Sequence, residues 1–477
     1  MWYIHQMRAI TPAALGAILF GAVLSGASPE QSAPALRAAP EQQTPLDRYV
    51  AAPDPHFAWT VTATSKVRGL TVTRLKLTSQ QWLTEREVVK PIWTHDLNIL
   101  RPARVTSDIG LLFITGGEID EPHPEPPPAF LLDMARDTRT VVAELRAVPN
   151  QPVVFQDDPK HELRSEDDFI AYTWDHFLRT GDDRWPARLP MTKSAVRAMD
   201  AVTAFCDSVD GGHVRVSKFV IAGASKRGWT TWTTAAVDTR VVAIAPVVID
   251  MLNLEASFAH HWQAYGAWAP AVKDYVDRGI MDWMGTPAFR ALMRIEEPFE
   301  YRARLTMPKL IMNASGDEFF LPDSSQFYID QLSGETNLRY VPNASHGLEH
   351  TDAAQTLESF YASIVSNRPR PRFTSSVDAD DSLRVVTTDR PSSVRLWQAT
   401  NPTARDFRLD TIGAGYHATM LTAAGPNTWV ARVQPPPEGW TAYFIELIFP
   451  SGGKYPLKLT TSIRVTPERM PYPPPKH

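Results

Sequence analysis

Phe219-Val220-Ile221-Ala222-Gly223-Ala224-Ser225-Lys226-Arg227-Gly228 is the stretch on which the reading of this chain turns. The apolar run Phe219–Ala222 suits a short buried strand. Gly223 and Ala224 permit a tight turn, and the residues from Ser225 to Val237 read as a helix. A serine at such an elbow is thrown clear of the sheet, and the helix N-terminus favours developing negative charge. The usual pattern is Gly-x-Ser-x-Gly; here Arg227 takes the last glycine position and Gly228 follows. The tripeptide alone carries no weight, because Gly26-Ala27-Ser28 repeats it. A serine that merely caps a helix is the competing reading.

Chain order decides between them. Downstream, Leu310-Ile311-Met312-Asn313 leads through Ala314-Ser315-Gly316 to Asp317, and the run Leu338–Val341 leads through Asn343-Ala344-Ser345 to His346. Nucleophile, acid and histidine, each just past an apolar strand, is the order of the α/β-hydrolase fold. Ser225 is then the nucleophile and His346 the general base. Asp317 would fix the histidine tautomer and stabilise its charged form. Asp250, after the run ending at Ile249, is the rival acid. The oxyanion hole needs two preorganised donors. One is the amide of Lys226; the other falls to the Ile114-Thr115-Gly116-Gly117 turn, Gly117 first and Gly116 second. A Gly–Gly loop without a role is the alternative.

Around this set, strands and helices alternate from Pro45 to about Arg368, as in a mostly parallel sheet covered on both faces. Phe57–Thr64 and Leu70–Thr78 suggest an antiparallel opening pair, and Ile109–Thr115 a buried strand. Asp133–Ala143 reads as a helix, Gln151–Phe155 as a strand, and Ser165–Arg179 as a helix with a Ser165/Asp168 capping pattern. Thr192–Val209, Leu252–Trp268, Asp323–Leu332 and Ala353–Val365 read as helices. The aromatics Phe258, Trp262, Tyr265, Trp268, Tyr275 and Trp283 lie between two core strands, where a lid is inserted in this fold, although packing is the commoner fate of such residues. Trp174, Trp262 and Tyr265 are candidate pocket residues. Lys226 and Arg227 would either attract an anionic substrate group or be solvated helix charges. Glu118, Asp120, His123 and Glu125 match no metal-ligand spacing, and His260-His261 cannot share one helix face, so no metal site and no cofactor is expected.

The 477 residues are 43% hydrophobic and 21% charged, with net charge -5, which offers no electrostatic case for nucleic acid. Residues 1–27 read as an export signal: a weakly basic start, the short apolar stretch Ile10–Val23, and Ser25-Gly26-Ala27 for cleavage. No other stretch approaches the ~20 apolar residues of a membrane span. Residues 28–45 read as a linker, 46–368 as the catalytic domain, and 369–477 as a small antiparallel β-sandwich of short strands. The single cysteine, Cys206, excludes an intrachain disulfide and suits the bacterial periplasm or exterior.

The runs Leu189-Pro190-Met191-Thr192-Lys193-Ser194-Ala195-Val196-Arg197-Ala198-Met199-Asp200 and Gly223-Ala224-Ser225-Lys226-Arg227-Gly228-Trp229-Thr230 then suggest a family. With Ala171-Tyr172-Thr173-Trp174 and Asn343-Ala344-Ser345-His346, the chain resembles the PhoPQ-activated pathogenicity-related protein family over about Pro45 to Arg368. That resemblance implies an α/β-hydrolase fold, export, and in some members a secreted regulatory role. The Ser-Lys elbow is also loosely similar to that of glucuronoyl esterases. The expectation is an exported serine hydrolase, esterase-like rather than peptidase, working through an acyl-enzyme. Its substrate would be a small-molecule, carbohydrate or peptide ester. A catalytically silent secreted binding or regulatory protein on the same scaffold is the alternative.

Overall fold

The computed structural model describes residues 43–121 and 126–475. The expected export signal, residues 28–42 of the linker, and His123 and Glu125 lie outside the described residues. Among the described residues, nine strands form the central sheet: β1 (Ala58–Val67), β2 (Leu70–Gln81), β3 (Ile92–Arg101), β4 (Ile109–Ile114), β5 (Val142–Leu145), β6 (Lys218–Ala224), β7 (Val241–Val247), β8 (Lys309–Ala314) and β9 (Thr336–Val341). Their order is β1-β2-β3-β5-β4-β6-β7-β8-β9. The first three pair antiparallel; β5, β4, β6, β7, β8 and β9 run parallel. This is an α/β-hydrolase fold, extended by β1 at one edge.

The parallel strands are covered on both faces, so they read as continuous apolar runs. Along β4, Leu112 and Ile114 join one buried cluster, Leu111 and Phe113 the other. The helices are α1 (Pro45–Ala51), α2 (Ala129–Thr138), α3 (Glu166–Thr180), α4 (Arg188–Asp207), α5 (Lys226–Val237), α6 (Leu254–Tyr265), α7 (Lys273–Asp277), α8 (Pro287–Glu296) and α9 (Ala353–Val365). Side chains of α2 and α9 fill the second cluster; those of α3, α4, α5, α6 and α8 fill the first. The segment from α6 to α8 is the insertion between β7 and β8.

Several elements differ from expectation. The helix read over Asp133–Ala143 stops at Thr138, where Arg139 turns left-handed (φ 54°). The β-branched pair Val141-Val142 then enters β5, between β3 and β4 in the sheet interior. The strand read over Gln151–Phe155 is three isolated bridges, because Pro152 has no N–H to give a ladder. β3 was not anticipated: His95, Asp96 and Asn98 break its apolar signal, yet all three are buried. Asp323–Leu332 forms two short 3₁₀ turns, not a helix. Ser165 does hold the N-cap position of α3, but its hydroxyl makes no capping bond.

After α9 the chain forms β10 (Phe373–Val377), β11 (Leu383–Thr387), β12 (Ser393–Asn401), β13 (His417–Met420), β14 (Thr428–Ala431), β15 (Trp440–Phe449), β16 (Leu457–Thr460) and β17 (Arg464–Thr466). These make a three-stranded sheet, β10-β11-β14, and a five-stranded one around β12 and β15. Leu383 and Val385 of one sheet and Val394, Ile445 and Leu447 of the other share a cluster with α2 and α9, so this unit packs directly on the hydrolase core.

Candidate active site

Ser225 stands between β6 and α5 with φ 57° and ψ -125°, a conformation that costs a non-glycine residue of order 1–3 kcal/mol. Its neighbours hold it there. The Ser225 amide donates to the Val247 carbonyl (2.8 Å), and the Ser225 carbonyl accepts the first helical bond, from Trp229 N (2.9 Å). A Cβ on Gly223 would lie 2.7 Å from the Arg227 carbonyl oxygen. One on Gly228 would lie 2.9 Å from the carbonyls of Gly223 and Val247. The close helix–strand approach that the pattern's last glycine normally serves is therefore met here by Gly228.

Lys226 and Arg227 are neither solvated nor open to substrate. Each is only 8% exposed. Three consecutive carboxylates open α3, and each takes a cation. Glu166 accepts both ends of the Arg227 guanidinium (2.6 and 2.7 Å), Asp167 accepts from Lys226 Nζ (2.6 Å), and Asp168 accepts from Arg164 and from Arg278 of the insertion (2.8 Å each). Burial pushes the Glu166 carboxyl upward, but the charges of Arg227 and Lys226 outweigh it and hold the group well below the usual carboxylate range. Tyr275 of α7 also donates to Asp167 (3.1 Å), so elbow and insertion share this acidic turn.

Asp317 and His346 meet across the ends of β8 and β9. His346 Nδ1 lies 3.0 and 2.9 Å from the two Asp317 oxygens, and both residues are buried. Asp317 Oδ1 also accepts the Phe319 amide (2.9 Å), and the His346 amide donates to Glu318 (2.7 Å). The rings of Phe319 and Phe320 flank the imidazole, at 4.4 and 5.8 Å between centroids. With Nδ1 donating to Asp317, Nε2 is left as the basic nitrogen. It is buried and makes no hydrogen bond, to Ser225 Oγ or to any other described atom. Asp250 is engaged elsewhere, accepting from Tyr328 OH (2.6 Å) and Tyr340 OH (2.5 Å), and burial raises its carboxyl to about 7.

Of the oxyanion candidates, Lys226 opens α5, where first-turn amides lack intrahelical acceptors. Gly117 has φ 102°, a backbone that favours glycine, and Gly116 lies against Arg227. Trp174 is 1% exposed and packs edge-on to Trp229 and Tyr275 inside the core, so it lines no open pocket. Trp262 packs on Trp268, and Tyr265 lies beneath the Arg408 guanidinium (5.1 Å). Neither makes a hydrogen bond or ring contact with Ser225 or His346 among the described residues. His260 binds Asp323, whereas His261 Nε2 accepts the Ala269 amide. Among the described residues no three His, Cys, Asp or Glu side chains gather as ligands of a metal ion.

Sequence reading missed the clasp on the loops that carry Asp317 and His346. The β12–β13 connection supplies it: Leu409 N donates to the Gly316 carbonyl (2.9 Å). Asn343 exchanges two bonds with the Tyr416 backbone (2.9 Å each), and buried Arg405 pairs with Asp323. The only local signal is Asn343, an asparagine at φ 54° three residues before the histidine.

A family model described as PhoPQ-activated pathogenicity-related protein matches residues 46–408. Autocrine proliferation repressor protein A of Dictyostelium discoideum is 36% identical over 458 residues, covering 90% of this chain and 92% of that protein. Among solved structures, acetyl xylan esterase 1 from a Thermoanaerobacterium species is 10% identical at TM-score 0.46, covering 67% of this chain and 92% of its own. A glucuronoyl esterase from Solibacter usitatus is 15% identical at TM-score 0.41, covering 70% and 98%. At this distance neither structure bears on the chemistry.

Proposed function

The chain belongs to the PhoPQ-activated pathogenicity-related protein family, and on that premise we propose that it is a serine hydrolase of carboxylic esters. The observation that carries this reading is the Asp317–His346 pair, whose buried Nε2 is left free to accept a proton, together with a serine held at a strained elbow. In the proposed reaction Ser225 Oγ attacks the ester carbonyl while His346 Nε2 takes its proton. The tetrahedral oxyanion is held by the Lys226 amide and the Gly116–Gly117 segment. His346 returns the proton to the departing alcohol, and water repeats the sequence on the acyl-enzyme. Because Lys226 and Arg227 are already paired with carboxylates, a neutral ester, carbohydrate esters included, fits better than an anionic one. Export to the periplasm or exterior is proposed from the N-terminal sequence alone. A small fluorophosphonate should label the wild type and not Ser225→Ala. A folded wild type that takes no label would refute the reading.

The relative named as a proliferation repressor favours a second reading, a secreted regulatory protein on a hydrolase scaffold. It requires Ser225→Ala to keep its biological activity, and loss of that activity in a stable variant would exclude it.

A further inference from the structure

Arg227 stands where the elbow pattern has glycine, and its surroundings are built around it. The guanidinium leaves α5 and meets three separate pieces of chain. Nε donates to the Val148 carbonyl. Nη1 and Nη2 donate to the two oxygens of Glu166 (2.7 and 2.6 Å). Against it lies the backbone of Gly116, where a Cβ would fall 2.4 Å from Nη2 and 2.6 Å from Cζ. Glu166 is itself pinned: its amide donates to Gln151 Oε1 (2.9 Å), and Gln151 Nε2 donates back to Glu166 Oε1 (2.7 Å). The Gly116 segment is tied to the Val148 segment by Ala147 N to Gly116 O (3.0 Å) and Val148 N to Thr115 O (3.1 Å). One side chain thus connects the nucleophile's helix to the turn that would supply the second oxyanion donor.

We propose that Arg227, clamped by Glu166, is a positioning residue: a strut that fixes the spacing between the Lys226 amide and the Gly116–Gly117 segment. This rests on the serine-hydrolase reading. A guanidinium suits the task because its planar fork holds several acceptors in fixed directions, whereas an ammonium is a point charge. Neutralised by Glu166 and packed on Gly116, it is no receptor for substrate. Its effect falls on the transition state, since two donors to one oxyanion must keep their separation. A misplacement of about 1 Å in such a site costs about 10²-fold in rate.

The test is a double-mutant cycle on the full chain: wild type, Gly116→Ala, Arg227→Ala and the double variant. Melting temperature is followed alongside kcat and KM for a neutral p-nitrophenyl ester. Gly116→Ala alone should lower both melting temperature and kcat, because its methyl meets the guanidinium. In the Arg227→Ala background the methyl enters vacated space and should bring no further loss. Arg227→Ala should lower kcat about 10²-fold with KM little changed, and added guanidinium ion should restore part of it. Arg227→Lys should not substitute. Should Arg227→Ala fail to fold, Glu166→Gln, which keeps the shape and drops the charge, should show the same selective fall in kcat. Additive melting temperatures overturn the strut itself. An unchanged kcat in a stable Arg227→Ala or Glu166→Gln protein overturns the positioning role. Coupled melting temperatures in a protein whose wild type turns over no ester overturn the hydrolase reading, and with it the catalytic part of the proposal.

Discussion

Replacing Asp317 by asparagine isolates the part of the site best defined by geometry. The two side chains are nearly isosteric, and the amide oxygen can still accept the Phe319 amide that Asp317 Oδ1 holds at 2.9 Å. What changes is the partner of His346 Nδ1, now 2.9 and 3.0 Å from a buried carboxylate. A hydrogen bond to a charged group contributes about 1.5–3 kcal/mol. That alone would predict a loss of about 10- to 100-fold. Asparagine can also present its NH₂ to Nδ1, which forces the proton onto Nε2 and leaves no base for Ser225. With the wrong tautomer, the expected loss in kcat is about 10⁴-fold, about 5.4 kcal/mol. Asp250→Asn is the control. Its carboxyl faces Tyr328 and Tyr340 instead of the imidazole, so it should lose less than about tenfold in activity. The assay is p-nitrophenyl acetate turnover with the fluorophosphonate labelling rate, and melting temperature confirms folding. A stable Asp317→Asn that keeps a tenth of wild-type activity, or a larger loss in Asp250→Asn, would refute the assignment of the acid.

Three further outcomes concern stability. Burial raises Asp250 to about 7 in the folded chain, so the folded state keeps a proton that the unfolded chain releases near pH 4. Its contribution to stability is complete below about pH 4 and is lost as pH rises through about 7. Asp250→Asn cannot ionise, so its melting temperature relative to wild type should climb between about pH 4 and 8; a flat difference contradicts this. Gly228→Ala places a methyl 2.9 Å from two carbonyl oxygens. It should destabilise by about 1–3 kcal/mol in urea unfolding, and a neutral effect would mean that the elbow can open at no cost. Arg405→Met leaves the buried Asp323 with the His260 ring as its remaining side-chain partner among the described residues. The expected loss is about 3–5 kcal/mol, and a change under about 1 kcal/mol would show that the pair is dispensable.

The fold was legible where burial imposes a pattern. Parallel core strands such as β6 and β8 are apolar on both faces, and each chemical residue follows the end of one, so Ser225, Asp317 and His346 could be placed in order. β3 and β5 were not legible, for opposite reasons. β3 carries His95, Asp96 and Asn98, polar residues that are buried because the fold gives them partners. Asn98, for example, donates to Glu144 at 2.9 Å. β5 is a four-residue strand whose apolar run extends a helical pattern, and only pairing on both sides makes it a strand. The fate of Arg227 was also out of reach. Its partners, Glu166 at the start of α3 and Val148 and Gly116 on two turns, have no local relation to the elbow.

The loops that carry Asp317 and His346 show why a boundary drawn by composition is not a structural boundary. Asp317 and His346 stand on turns, and turns do not hold fixed distances unless something outside them does. One turn receives an amide from Leu409; the other exchanges two hydrogen bonds with Tyr416. Both partners come from the connection between β12 and β13, within the segment that sequence patterning sets apart as a separate β-rich unit. The insertion is tied to the same unit. His260 and Arg405 converge on Asp323, Arg408 covers Tyr265, and Tyr472 N donates to the Gln263 carbonyl (3.0 Å) at the end of α6. On the proposed hydrolase reading, the β-rich unit thus braces the loops of Asp317 and His346, and the Glu166–Arg227 strut braces the turn assigned to the oxyanion. Restraint of that kind stabilises a developing charge without rearrangement during the reaction. On the same reading, substitutions that disturb residues 402–416 should lower kcat for a p-nitrophenyl ester in a stably folded protein, and an unchanged kcat would refute the bracing role.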